Sequence, residues 1–196
     1  MLTYATFMRH AEKVIKTVSE NRPELKGVYH HPDGSLVVTD AKRMYKVSGI
    51  EHDKPLGSVY TTKGRKLETP YPNVDRFMKD DPVYQQIDQV YQFKTTELLQ
   101  AVDCVSCIPV ALKETLVLCF EGNRLACYYK SGERAFYYLP ISFPDRFAIN
   151  GMFLLDALKL LKAAKCRDFS FIYQAKLRPI FLKAENITIL ILPVKI

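Results

Sequence analysis

No tryptophan occurs among the 196 residues, against twelve tyrosines and eleven phenylalanines, a balance that favours strands. No uninterrupted apolar stretch approaches the length of a membrane span, and the longest apolar run, near residue 190, reads as a strand. The opening MLTYATFMRHAEK lacks the basic region and apolar run of a secretory leader. A glycine-rich phosphate loop is missing, and no Ser-His-Asp or Cys-His arrangement can be argued from spacing. These absences argue against a membrane protein and make an enzyme the least expected class. The five cysteines are odd in number and sit in apolar context, which points to a reduced, cytoplasmic protein. Cys104 and Cys107 are closely spaced, but Cys119 and Cys127 stand eight apart, whereas structural zinc wants two close pairs. No metal or other cofactor is expected.

What is present is an ordinary globular composition with an excess of positive charge. The formal net charge is +7, which fits a polyanionic partner such as nucleic acid without requiring one. The length suffices for one or two domains with cores that need no staples.

Hydrophobic spacing predicts a first helix over residues 3–19, with Tyr4, Phe7, Met8, Ala11, Val14, Ile15 and Val18 inward. Arg9, Lys13 and Lys16 fall together on its other face. Short strands are expected at 25–29, 36–39 and 43–47, with His30 and His31 exposed on the first turn. A further hairpin is expected around Gly64, and residues 70–89, rich in proline and Asp, read as a linker. Thereafter the pattern is strand 91–94, helix 96–102 capped by Thr95, and strands 116–120, 124–129 and 134–139. Phe147–Ile149 leads to Asn150 as a cap, a helix over 152–164, and strands at 168–173, 178–183 and 187–192. The second half thus holds two copies of a strand, helix, three-strand unit; the first half holds one copy without its leading strand. The fold class is α+β, with antiparallel strands burying one face beneath helices.

Three stretches carry a specific resemblance. Arg22-Pro23-x-Leu25-x-Gly27-Val28, followed by Leu36-Val37-Val38-Thr39-Asp40-Ala41-Lys42-Arg43-Met44, is similar to the RPxLxGV stretch and ATDGHRL loop of the bacterial DNA polymerase III beta-subunit family, the replicative sliding clamps. Tyr71-Pro72-Asn73-Val74 resembles that family's FPDY or FPNL stretch. Phe147-Ala148-Ile149-Asn150, Phe153-Leu154-Leu155-Asp156-Ala157-Leu158 and Leu190–Ile196 resemble its FNxxYLLDALxAL helix and closing YLxMPMRL strand. The family protomer has three domains of two units each, so the resemblance implies a shortened DNA-clamp fold of repeated β-α-β-β-β units. Residues 1–82 form a truncated middle domain and 83–196 a complete C-terminal one. Size alone suggests a phage or mobile-element source.

The resemblance implies a non-enzymatic clamp-like protein, self-associating into a ring or part of one, that contacts the duplex DNA backbone without reading sequence. Arg9, Lys13, Lys16, Lys159, Lys162, Lys165 and Arg167 are the candidate DNA-facing residues; the bland alternative is a set of solvated helix faces. His10 could add a phosphate contact. DNA polymerase or other clamp-binding proteins would dock linear peptides in a hydrophobic groove. Its walls match Thr39, Ala41, Lys42, Arg43 and Met44 on one side and Leu190, Leu192, Pro193, Val194, Lys195 and Ile196 on the other. Ala41 and Lys42 replace the family's Gly and His, and alanine disfavours the positive φ that glycine allows. The alternative function is a clamp mimic or adaptor that binds clamp partners, or a host clamp, without encircling DNA.

Overall fold

The first helix, α1 (Tyr4–Ile15), is shorter than its apolar pattern predicts. Thr3 caps it, its hydroxyl accepting from the Thr6 amide at 3.3 Å, and Phe7, Ala11 and Val14 form the buried stripe. The computed structural model describes residues 2–78, 89–111, 116–128 and 134–195. Pro23 opens a single 3₁₀ turn that takes Leu25 out of the first strand, which therefore starts three residues later than expected. The first half continues with β1 (Val28–His30), β2 (Leu36–Thr39), β3 (Arg43–Val47), β4 (Ser58–Tyr60), β5 (Lys66–Leu67) and the short helix α2 (Asp75–Met78).

Two repeats of one unit follow. The first comprises β6 (Gln89–Lys94), α3 (Thr95–Ala111), β7 (Val117–Glu121), β8 (Arg124–Tyr128) and β9 (Arg134–Tyr138). The second comprises β10 (Phe147–Asn150), α4 (Gly151–Ala163), β11 (Asp168–Tyr173), β12 (Ile180–Ala184) and β13 (Ile187–Ile191), closed by β14 (Pro193–Val194). Asn150 caps α4 as expected, accepting from the Met152 and Phe153 amides at 3.0 and 3.3 Å. Helix α3 runs well beyond the expected 96–102, and Thr95 is its first residue.

Among the described residues the strands form two antiparallel sheets, one of nine in the order β5-β4-β1-β2-β3-β13-β12-β11-β6 and one of five in the order β14-β10-β7-β8-β9. The nine-stranded sheet crosses from the first half to the second where β3 pairs with β13, Arg43 opposite Ile191 and Val47 opposite Ile187. Period-two alternation then sorts residues by face. Leu36, Val38, Tyr45, Val47, Ile187, Ile189 and Ile191 join the main core with α1, α3 and α4 and the inner face of the five-stranded sheet. Val37, Met44 and Leu190 form a second, smaller cluster, with Tyr29 and Phe181 packed against it. Helices α1 and α3 both pack on α4, so the three make one layer in the order α1-α4-α3. The domain boundary expected at 82/83 falls outside the described residues.

The turn histidines are not exposed. His30 is the last inward position of β1, fully buried, with its Nε2 3.1 Å from the Tyr4 hydroxyl and its ring against His52 and Tyr60. His31 bridges Asp33 and Asp75, at 2.8 and 3.1 Å, and so fastens α2 to the β1–β2 turn.

Candidate functional site

Two surfaces lie on opposite sides of the nine-stranded sheet. On the side away from the helices, the smaller cluster gathers Val37, Met44 and Leu190 with Val74, which stands just before α2. Met44 and Leu190 are direct cross-strand partners, which places the two expected groove walls side by side. The walls are also tied by main chain, the Leu192 amide donating to the Lys42 carbonyl at 2.9 Å. After Leu192 the chain leaves this sheet: Pro193 and Val194 pair with Ile149 and Ala148 of β10 in the other one. Of the other expected groove residues, Thr39, Pro193 and Val194 are half-buried and Ala41, Lys42, Leu192 and Lys195 exposed; Ile196 lies outside the described residues.

The loop between β2 and β3 is shaped by Thr39. Thr39 accepts from the Ala41 amide and donates to the Arg43 carbonyl, at 3.1 and 2.7 Å. Ala41 takes φ +69°, the conformation that glycine adopts without penalty. An Ala41→Gly chain is therefore expected to gain about 1 kcal/mol in urea unfolding; equal or lower stability would show that the loop relaxes the strain elsewhere.

Arg43 does not line the groove. Strand alternation turns it to the helix side, where it is 2% exposed. Its Nε donates to Asp40 at 3.2 Å, its Nη1 to Asp156 at 2.9 Å and its Nη2 to the Lys13 carbonyl at 3.0 Å, while its plane lies over the Phe153 ring at 4.3 Å. It is a structural pin, not a rim charge.

Residues from the stretch that reads as linker, and that the resemblance also singles out, join the smaller cluster instead. Tyr71 stacks on Tyr29 with 5.1 Å between ring centroids, and its hydroxyl accepts from the Thr39 amide at 3.1 Å. Burial pushes its phenol up, which keeps it neutral. Val74 is buried in the cluster, whereas Phe77 is 46% exposed beneath the Arg76 guanidinium. The signal was the Tyr71–Val74 stretch, which the resemblance singles out but which high proline content disguises as linker.

On the helix side, the expected cations are exposed but unequal. Lys13 donates to Asp156 at 3.1 Å, Lys16 pairs with Glu12 one turn back at 3.2 Å, and Arg9 donates to the Thr6 hydroxyl at 3.0 Å. Arg167 stands 3.9 Å from Asp168. Lys159, Lys162 and Lys165 make no ion pair among the described residues. His10 is half-buried; desolvation, and then Lys13, lower its pKa, so it is neutral near pH 7 and brings no charge to a phosphate. Helix α3 presents Glu97, Gln100, Asp103, Cys104 and Cys107 to solvent, an acidic and thiol face beside two basic helices.

The β9 edge of the five-stranded sheet is aromatic. Phe136 is 45% and Tyr138 is 61% exposed on β9, with Arg124 over the Phe136 ring at 4.2 Å. Tyr137 points inward and packs on the core, as alternation requires. Among the described residues no group of three or more His, Cys, Asp or Glu side chains could hold a metal ion, and all five cysteines are free.

Helices layered on antiparallel sheets built from a repeated β-α-β-β-β unit define the sliding-clamp fold, and the chain has that fold in shortened form. It superposes on a DNA polymerase sliding clamp from Bacillus subtilis with a TM-score of 0.72 at 17% identity, covering 98% of this chain and 63% of that one. A Caulobacter crescentus beta sliding clamp gives a TM-score of 0.72 at 14% identity, covering 97% and 63%. The Helicobacter pylori beta clamp bound to a DNA ligase peptide gives 0.69 at 13% identity, covering 99% and 64%. The chain thus spans under two thirds of the length of these clamps. No protein-family model and no curated protein sequence matches it.

Proposed function

We propose that the chain is a non-enzymatic clamp-type tether. The basic faces of α1 and α4 hold the duplex DNA backbone without reading sequence. The groove on the opposite side of the sheet takes a linear peptide from a polymerase, ligase or other replication or repair protein. The observation that carries this reading is the β3–β13 junction, which joins the two expected walls through Met44, Leu190 and Val74 as a buried apolar floor, with exposed Leu192 tied to Lys42 beside it and the basic helices on the other side of the sheet. Apolar anchors with positive groups at the rim, here Lys42, Arg76 and Lys195, suit a short peptide with hydrophobic and acidic side chains. The peptide-bound state of the Helicobacter pylori neighbour supports the same reading.

Leu192 tests the groove without disturbing the fold, being 37% exposed. With a fluorescent peptide of about ten residues from a clamp-binding ligase, Leu192→Glu is expected to weaken binding about tenfold, which corresponds to roughly 1.4 kcal/mol. Unchanged anisotropy titrations would sink the groove assignment.

One observation favours a second reading of the assembly. The β1-β2-β3 and β7-β8-β9 meanders are the same part of the repeated unit. The outer edge of β3 is covered by β13 of the same chain, but the outer edge of β9 is not covered by any described strand. A second copy has its own β13 already covered, so copies cannot repeat that joint with one another. A different clamp-type chain with a free final strand can supply it, which supports an adaptor seated on another clamp over a closed homomeric ring. Light scattering separates the two. A closed oligomer of the purified chain favours the ring. A monomer that forms a one-to-one complex with a full-length bacterial clamp favours the adaptor.

A further inference from the structure

We propose that Asp156 and Arg43 are positioning residues that couple the peptide groove to the DNA-facing helices. The proposal rests on the tether reading and adds a connection between its two surfaces.

The connection is a continuous chain of hydrogen bonds, charged from Lys13 to Asp40 and completed by main chain at Lys42. At the helix surface, the Lys13 ammonium, 45% exposed, donates to Oδ1 of Asp156 at 3.1 Å. The other oxygen of Asp156 accepts from Arg43 Nη1 at 2.9 Å, and Arg43 Nε donates to Oδ2 of Asp40 at 3.2 Å. The remaining oxygen of Asp40 accepts from the Lys42 and Arg43 amides at 2.9 and 2.8 Å, which shapes the loop. The Lys42 carbonyl then holds the Leu192 amide on the opposite groove wall. Thr17, just past α1, donates a further hydrogen bond to Asp40. In the low-polarity interior such links are stronger than at the surface, and each partner's position depends on the next.

Lys13 is the most exposed of the ion-paired side chains in this relay, and cations stand near it: Arg9 on its own helix, Lys16 at that helix's end, paired with Glu12, and Lys159 one turn beyond Asp156 on α4. A phosphate that engages Lys13 withdraws one of the two cations on Asp156. The carboxylate then bears on Arg43 alone, the Arg43–Asp156 link tightens, and the loop that Arg43 and Asp40 shape becomes more ordered. Ordering the wall before the peptide arrives lowers the cost of binding it. By linkage the effect is reciprocal, with peptide raising DNA affinity by the same factor.

The test is the ligase-peptide titration at low salt, with and without a saturating 30-base-pair duplex. Wild type is expected to bind peptide about fivefold more tightly on DNA, the lower end of usual coupling strengths. Asp156→Asn is expected to lose that DNA effect, which a residue serving stability alone would not produce. Lys13→Met, at an exposed position, keeps the test readable if Asp156→Asn fails to fold; it is expected to bind peptide at the tight value whether or not DNA is present. A wild-type chain that binds both ligands with no mutual effect, or a DNA effect of equal size in Asp156→Asn, overturns the coupling while leaving the tether intact. Peptide binding absent from wild type overturns the groove reading itself, and the coupling with it.

Discussion

Arg43→Ala is expected to lower folding stability by about 3–5 kcal/mol, measured by urea unfolding, with a melting midpoint on the order of 10 °C lower. The magnitude follows from what is left behind. Asp40 has no exposed side-chain area and Asp156 little, so both carboxylates lose a cation where water cannot replace it. Asp40 keeps two amide donors and Thr17, and Asp156 keeps Lys13, which places the cost below that of two wholly abandoned charges. The lost stacking over Phe153 adds to it. Replacing Arg43 by Met together with Asp156 by Leu is expected to recover part of the loss, because removing both members of a buried pair strands one charge fewer than removing one. A loss below about 1 kcal/mol would show that water reaches the pair. The arginine matters beyond its own bonds because it joins Lys13 of α1, the β2–β3 loop and Asp156 of α4, three elements that are far apart in sequence.

That arginine also shows where sequence reasoning stopped. The Thr39–Met44 stretch reads as one functional loop, and the resemblance assigns all of it to one wall. Strand pleating divides it: Met44 faces the smaller cluster and Arg43 the helices, a split that follows from alternation but needs the start of β3 to be known to the residue. His30 was lost for a similar reason. A strand begun at Leu25 puts His30 on the turn, whereas the 3₁₀ turn after Pro23 shifts β1 to Val28–His30 and buries it. The repeats were legible because local signals agreed with the tertiary outcome, as with Asn150 and the Leu154, Leu155, Leu158 and Leu161 stripe of α4. Helix α3 was cut short because its later residues mix polar and apolar types without clear period, and packing on α4 supplied what local pattern did not. The resemblance flagged Tyr71 and Val74 but did not place them on the smaller cluster, since their partners, Met44, Leu190 and Tyr29, come from strands distant in sequence.

Charge reversal at Arg9, Lys16, Lys159 and Lys162 together is expected to weaken non-specific duplex binding about 100-fold at moderate salt and to reduce the slope of log affinity against log salt by about four. These four are exposed, and none is a member of the buried relay, so thermal stability is expected to change little. An unchanged salt slope would show that the cations merely solvate the helices. The acidic face of α3 makes the sign testable in the other direction. If DNA lay along the whole helix layer, Glu97 and Asp103 would repel phosphates at its far end, and Glu97→Lys with Asp103→Lys should tighten binding while steepening the salt dependence. Glu97 already pairs with Lys94 at 2.7 Å, so reversing it also frees that lysine and enlarges the gain. If affinity stays the same, the duplex touches only α1 and α4. A contact confined to those two basic helices, with β9 left uncovered by any described strand, would favour the proposed adaptor that shares its DNA with a second clamp-type chain.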